Sequence, residues 1–213
     1  MSMRPKQFTM TLVTPSATNI CASQTPGGAG NLTINGTLAS GGAVSMSDGY
    51  LLTIVSAANL SARTFVVTGT DADGQTQTES IVGPNATTVT GTKYFKTVSQ
   101  ISIDAAAAGA LTVGTSDAAI MKTFPVSNRF MSSEVIGFMV DVTGTVNYTV
   151  QYTMQDVQNG AQPSTLTWLS HDTVASATAD VGGNFVVPIR AMRMKVNSYS
   201  AGAALVLDVL HAS

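Results

Sequence analysis

Apolar and polar side chains alternate with a period of two through much of this chain, and this pattern constrains its fold more than any other feature. In residues 146–154 every second side chain is apolar and each residue between them is polar. Successive side chains of a β-strand point to opposite faces, so this spacing predicts a strand with one buried face. Residues 192–196 show the same pattern and place Arg193 and Lys195 together on the polar face.

Turn-forming residues separate the alternating segments. The sequence Asp71-Ala72-Asp73-Gly74 predicts a hairpin loop that ends in a glycine with positive φ. Residues 83–85 and 182–184 predict further turns. The remaining predicted strands are residues 8–13, 31–38, 51–55, 64–70, 76–82, 97–103, 134–142, 184–187 and 205–210. Both faces of the last strand are expected to be covered, because Asp208 is its one polar residue.

Strands that recur at short spacing with turns between them are typical of β-sandwiches and barrels. The sequence therefore predicts an all-β protein, an antiparallel β-sandwich or jelly-roll-like fold, with two small β domains. We predict an N-terminal β domain with an extended N-terminal arm at residues 1–123 and a C-terminal β-sandwich domain at residues 124–213. Near this boundary the Thr-, Gly- and Ala-rich pattern gives way to a more aromatic region that contains methionines. A single larger sandwich is the alternative.

Charged residues are scarce. They make up 10% of the 213 residues and leave a formal net charge of −2, whereas an ordinary domain contains about 25% charged residues. The chain therefore has no basic surface for nucleic acid, and it has no apolar run long enough to span a membrane. Its outer surface must consist mostly of uncharged polar residues, supplied by 29 Thr and 21 Ser. Such a surface suits burial against other subunits and predicts an assembly subunit; an ordinary Thr-rich β protein is the alternative.

The sequence predicts neither an enzyme nor a cofactor or metal site. Ser170-His171-Asp172 contains the residue types of a catalytic triad, but consecutive strand residues point to alternating faces. Two histidines and one cysteine are too few for a transition-metal site. The 71–74 loop lacks the later glycine and glutamate of an EF-hand, which favours a simple hairpin over a weak, exposed calcium site.

One stretch of the chain has the sequence FVVTGTDADGQTQTESIVGPN at residues 65–85 and KYFKTVSQISID at residues 93–104. Another comprises VNYTVQYTM (146–154), WLSH (168–171) and NFVVPIRAMR (184–193). Both resemble a pattern found in virion proteins of tailed bacteriophages, and their spans, residues 65–104 and 146–193, cover about two fifths of the chain. The resemblance implies a structural subunit of the virion and brings no catalytic residues with it.

Within that family the resemblance favours a capsid decoration (cement) protein, which binds the major capsid protein and other virion subunits and stabilises the head shell. Such proteins are often trimers, so a homo-oligomer is expected, with a trimer favoured. The expected location is the virion, after synthesis in the host cytoplasm, because residues 1–8 do not resemble a signal peptide. A head–tail connector or tail component that forms a ring is one alternative. A carbohydrate- or receptor-binding β module is another, and it would gain support if Trp168 were exposed beside Tyr148 or Tyr152.

Two regions are the candidate partner-binding sites. The N-terminal arm, residues 2–7, contains Arg4 and Lys6 on either side of a proline and is expected to resist regular structure. The second region is the basic strand around Arg190 and Arg193, where Lys195 shares a face with Arg193. A solvated face is the plainer interpretation of this strand, and a salt-bridging surface toward Asp or Glu of a partner subunit is the functional one.

Overall fold

The computed structural model describes residues 5–126, 135–157 and 163–211 of the chain. This part of the chain consists of β-strands, loops and one short 3₁₀ turn at Pro163–Thr165, and it contains no α-helix. None of its segments is a helix that could cross a membrane. The strands are β1 (Lys6–Thr11), β2 (Ser16–Gln24), β3 (Gly30–Asn31), β4 (Ala39–Ser40), β5 (Ala43–Ser56), β6 (Thr64–Thr70), β7 (Thr76–Val82), β8 (Thr88–Ile103), β9 (Leu111–Ile120), β10 (Phe124–Pro125), β11 (Ile136–Thr143), β12 (Val146–Thr153), β13 (Leu169–Ser170), β14 (Val181–Phe185), β15 (Ala191–Tyr199) and β16 (Ala204–His211).

The contacts divide the chain into two compact units, each described by itself. The central unit comprises residues 14–119, and the terminal unit comprises residues 1–13 together with 120–213. Strand β1 belongs to the terminal unit because it pairs along its whole length with β16. The division into folding domains at residue 124 stays a prediction.

The central unit contains a sheet in the order β9-β5-β8-β6-β7, and β2 also pairs with β9, β3 with β8 and β4 with β5. The β6–β7 hairpin confirms the strands predicted at 64–70 and 76–82, and Gly74 in the loop has φ of +84°. Strand β8 is long enough to pair with β5 through its first half and with β6 through its second. The side chains that fill the core of this unit include Tyr50, Leu52, Ile54, Phe65, Phe95 and Ile101.

The strand predicted at residues 31–38 is wrong, although its alternation is real. Leu32 and Ile34 are buried, but only Gly30–Asn31 forms a strand. Further along this segment, side chains replace a partner strand: the Gln24 amide donates to the Thr33 carbonyl at 3.0 Å and accepts the Thr33 N–H at 2.9 Å. A side chain that pairs with the backbone in this way competes with regular strand pairing.

The terminal unit contains two groups of strands. The four-stranded sheet has the order β1-β16-β11-β14. The second group has the order β13-β12-β15, with β10 also paired to β15; it is a section of a longer sheet and is called the three-stranded sheet below. Their apolar faces meet: the ring of Phe8 lies 4.8 Å from that of Phe124, and the ring of Tyr152 lies 5.3 Å from that of Phe185. All described pairings in these sheets are antiparallel. The all-β, antiparallel sandwich class predicted from the sequence is therefore confirmed.

Three further predictions about this unit are wrong. Residues 182–184 form no turn but lie inside β14, where they pair with β11. The segment 205–210 buries one face only, since Leu210 on the other face is 41% exposed. The N-terminal arm becomes regular earlier than expected, because Lys6 and Gln7 already pair with β16; residues 2–4 of the arm lie outside the described part.

Candidate interaction surface

The outer face of the four-stranded sheet is built from the side chains that alternate with its buried positions. In β11, Phe138 and Val140 are buried, whereas Met139 and Asp141, which alternate with them, are exposed. Pairing with β16 sets Met139 opposite Asp208 and Asp141 opposite Val206. Apolar and acidic side chains therefore lie side by side on this face.

Two glycines leave parts of this face without side chains. Gly137 of β11 lies opposite Leu210 of β16, and Gly182 of β14 lies opposite Met139 of β11. A Cβ added to either glycine would meet one backbone oxygen, at 3.9 Å and 3.7 Å respectively, so these positions are not tightly packed. The side chains of Met139 and Leu210 consequently stand above the sheet, 46% and 41% exposed.

Three carboxylates are gathered at this sheet. Asp208 accepts a hydrogen bond from the Gln7 amide at 3.1 Å, and Asp180 accepts the N–H of Val142 at 2.7 Å. Burial raises the pKa of the Tyr148 hydroxyl to about 12, and the negative charges of Asp180 and Asp141 add to that increase. Two of the three carboxylates, Asp180 and Asp141, therefore disfavour ionisation of this neighbouring phenol.

The outer face of the three-stranded sheet is basic. Arg193 and Lys195 lie on alternate positions of β15, opposite Gln151 and Thr149 of β12. The Arg193 guanidinium carbon lies 3.8 Å from the centre of the Trp168 ring, and its Nε donates to Gln151 Oε1 at 3.0 Å. A stacked guanidinium with a directed hydrogen bond loses little further freedom when it binds a carboxylate.

The structure describes three of the four predicted partner-binding residues, Lys6, Arg190 and Arg193. Arg190 precedes β15 and forms an ion pair with Asp156 at 3.2 Å, in which both side chains are well exposed. Exposed pairs of this kind contribute little stability. Lys6 in β1 places its ammonium 5.3 Å from the centre of the Phe124 ring, and Arg4 lies outside the described residues. Arg193 and Lys195 alone share a face, as the sequence predicted.

In the Ser170-His171-Asp172 segment, the His171 ring makes packing and hydrogen-bond contacts typical of a structural histidine. His171 is buried, its ring packs edge-on against Phe138 and Phe185, and Nε2 lies 3.1 Å from the Asn184 carbonyl oxygen. Its Nδ1 lies 3.2 Å from the hydroxyl of Thr173. Both ring nitrogens thus have structural partners.

The predicted hairpin loop at residues 71–74 satisfies its carboxylate internally. Asp71 Oδ1 accepts the N–H groups of Asp73 and Gln75, each at 2.9 Å. Burial raises the pKa of Asp71. Across the residues that the structure describes, no cluster of three or more His, Cys, Asp or Glu side chains could hold a metal ion.

Sequence reasoning missed Asp141 and Asp208 as surface residues. Alternation in 205–210 does place Asp208 opposite the buried leucines, but the apolar neighbours Val206 and Leu210 favoured burial on both faces. Asp141 and Asp208 come together only through the β11–β16 pairing, which joins segments separated by more than sixty residues.

Comparisons with known proteins identify no family. No protein-family model matches the chain, and no curated protein matches it. Among solved structures, the crystal structure of the major capsid protein P2 from bacteriophage PM2 aligns over 97% of both chains with 10% identity and a TM-score of 0.22. The crystal structure of the STIV MCP aligns over 97% of both chains with 8% identity and a TM-score of 0.19. TM-scores of this size carry no argument about fold or role.

Proposed function

We propose that this chain is a non-catalytic structural protein of a bacteriophage virion, and that it acts as a capsid decoration protein. The observation that carries the proposal is the unusual surface of the terminal unit. Charged residues are scarce in the whole chain, and the large apolar side chains exposed on this unit are Val135, Met139, Met154, Leu169, Val186, Val187 and Leu210. Met139 and Leu210 lie on paired strands, and Val186 and Val187 are consecutive, so these exposed apolar side chains occur as neighbours and support an interaction surface.

The resemblance of residues 65–104 and 146–193 to tailed-phage virion proteins supplies the kind of assembly. A decoration protein would bind across the boundaries between capsid subunits and stabilise the closed shell by the free energy of binding. This contribution would repeat at every symmetry-related position. The expected partners are the major capsid protein and further copies of this chain, with a trimer as the favoured oligomer and no direct contact with nucleic acid.

A ring-forming connector or tail component is the second candidate, because the same surface would also serve a ring. The sugar-binding alternative would gain support from a Trp168 exposed beside Tyr148 or Tyr152. Tyr148 is fully buried and donates its hydroxyl hydrogen to the Ala179 carbonyl at 2.9 Å. One face of Trp168 is covered by Arg193. We therefore do not propose that alternative.

The proposal is tested by binding to heads that lack the protein. Heads from a phage whose gene for this chain is deleted are mixed with purified protein, sedimented, and heated to measure the temperature at which they release DNA. Saturable binding and a higher release temperature are the expected results. Absence of binding would overturn the decoration role, and binding confined to the tail or its attachment vertex would favour the connector.

Variants then locate the contact. Deletion of residues 2–5 removes Arg4 and the part of the arm that precedes β1, but leaves Lys6 and the β1–β16 pairing intact. We expect this deletion, and separately Arg190→Ala and Arg193→Ala, to weaken binding to heads. Lys122→Ala is the matched control, since Lys122 is an exposed cation of the same unit. If the deletion and both arginine variants bind as tightly as the wild type, these regions are not the contact.

A further inference from the structure

The two outer faces of the terminal-unit sandwich carry opposite charge. On the described strands of the four-stranded sheet, the charged side chains at outer positions are Asp141 and Asp208. On the described strands of the three-stranded sheet they are Arg193 and Lys195. Lys6 is on the four-stranded sheet too, but it occupies an inner register position, opposite Val209, and its ammonium lies against Phe124.

One copy cannot pair these charges with each other. The outer faces of two packed sheets point away from one another, so Asp141 and Asp208 lie on the opposite side of the sandwich from Arg193 and Lys195. In a chain with only 22 charged residues, the segregation of sign onto opposed faces favours contact between copies. Opposite potentials on two surfaces steer association and set its register.

The faces also match in character beyond charge. Met139, Val206 and Leu210 give the acidic face an apolar component beside its carboxylates. The basic face offers the half-buried Trp168 ring, stacked under Arg193 and next to Gln151. Aromatic and arginine side chains with fixed positions are the usual anchors of protein interfaces.

We propose that copies of this chain associate head to tail, with the outer face of the four-stranded sheet of one copy packed on the outer face of the three-stranded sheet of the next. This inference rests on the proposed structural role and names one partner within it, a second copy. The contact is heterologous, so it extends as a row or closes as a ring. Since nearly opposed faces close only into rings of many copies, this contact is additional to any threefold contact.

Charge reversal with rescue tests the proposal in the absence of heads. The acidic-face variant is Asp141→Lys/Asp208→Lys, and the basic-face variant is Arg193→Asp/Lys195→Asp. Self-association of the full chain is measured by sedimentation velocity and light scattering. We expect each variant alone to associate about tenfold or more weakly than the wild type. An equimolar mixture is expected to recover association, because the lysines of one variant then face the aspartates of the other.

Several outcomes would overturn the proposal. One is a wild-type chain that stays monomeric at all concentrations tested. Another is an equimolar mixture of folded variants that does not recover self-association. A third is unimpaired association of either variant. If Arg193→Asp prevents folding through loss of its contacts to Trp168 and Gln151, Lys195→Asp alone replaces the double variant in both arms. Asp73→Lys/Asp104→Lys is the control, since it makes the same change of net charge as the acidic-face variant at loop positions of the central unit.

The result is separable from that of the proposed function. Binding to heads tests the decoration role whether or not the free protein self-associates. Failure of rescue with normal binding to heads would remove the head-to-tail contact only, and rescue without any binding to heads would remove the decoration role only.

Discussion

Asp48 is a buried residue in an irregular segment of β5. The register between β5 and β8 shifts between Ser45 and Tyr50, and Asp48 in this segment is 6% exposed. In the part of the chain that the structure describes, its Oδ2 is the buried side-chain atom that has no hydrogen-bond partner. Burial raises the pKa of this carboxyl to about 6, although a hydrogen bond from Ser47 and the charge of Lys96 act in the opposite direction.

The expected consequence is a loss of stability as pH rises. The pKa of Asp48 is higher in the folded chain than in the unfolded chain, so the folded chain holds the extra proton between about pH 4 and pH 6. The free energy of unfolding should therefore fall across this interval and stay low above it, by about 2–3 kcal/mol. Asp48→Asn removes the charge and should be more stable than the wild type at pH 8 by a similar amount.

Urea unfolding between pH 4 and pH 8 measures this difference. Asp104→Asn, at an exposed position, is the control for removal of a carboxylate. Parallel stability profiles for Asp48→Asn and the wild type would show that Asp48 titrates as an ordinary aspartate.

At Gly114 in β9, any side chain is expected to destabilise the fold. A Cβ at this position would lie 1.8 Å from the Ser16 carbonyl oxygen and 2.6 Å from the Ala17 backbone. The backbone of β2, which pairs with β9, therefore packs directly against this glycine. We expect Gly114→Ala to lower the free energy of unfolding by about 3 kcal/mol or more, because backbone atoms must move. Gly28→Ala, where a Cβ meets nothing within 4 Å, should be nearly neutral in the same denaturation assay; equal effects of the two substitutions would contradict this explanation.

At the scale of the element, alternation predicts strands well where one face is buried and a recognisable turn follows. The hairpin of β6 and β7 is the best example: its strand ends match the predicted ones, and Gly74 has the positive φ that the turn requires.

Alternation does not predict strand β9, because Val113, Gly114 and Thr115 are buried in succession and small residues allow β2 to approach. Gly183 was assigned to a turn although its missing side chain makes room for the Phe138 ring inside a strand. Close packing between strands distant in sequence decided both cases, and a single sequence does not record it.

Glu79 connects two elements of the central unit. This buried carboxylate of β7 accepts hydrogen bonds from the N–H and hydroxyl of Thr92 and from the N–H of Lys93, all on β8. Glu79→Gln replaces one acceptor oxygen by an amide that cannot accept from a backbone N–H. We expect a loss of about 1–3 kcal/mol in the free energy of unfolding, measured by urea denaturation at pH 7. Asp117→Asn, an exposed carboxyl on β9, is the matched control, and an unchanged midpoint for Glu79→Gln would mean that these bonds add no net stability.

At the scale of the whole molecule, the scarcity of charge predicted an assembly subunit, and the basic strand with Arg193 and Lys195 was found from period-two spacing alone. The opposing acidic face could not be predicted, because Asp141 and Asp208 become neighbours only through the pairing of β11 with β16. In this sheet, with the order β1-β16-β11-β14, every neighbouring pair joins segments that are distant in the sequence. The sequence shows which residues share a strand face, but not which strands share a sheet.

Charge on two opposed faces makes a prediction about salt. If the head-to-tail contact pairs Asp141 and Asp208 with Arg193 and Lys195, self-association should weaken as NaCl rises from about 0.05 M to about 0.5 M, because added salt shortens the screening length and weakens attraction between charges. Asp141→Asn/Asp208→Asn should associate more weakly than the wild type at low salt and respond less to added salt. Sedimentation velocity at matched protein concentrations gives both quantities. Association that strengthens with salt, equally in the wild type and the variant, would instead identify the exposed apolar side chains Met139 and Leu210 as the source of the contact, because salt strengthens apolar burial but weakens charge pairing.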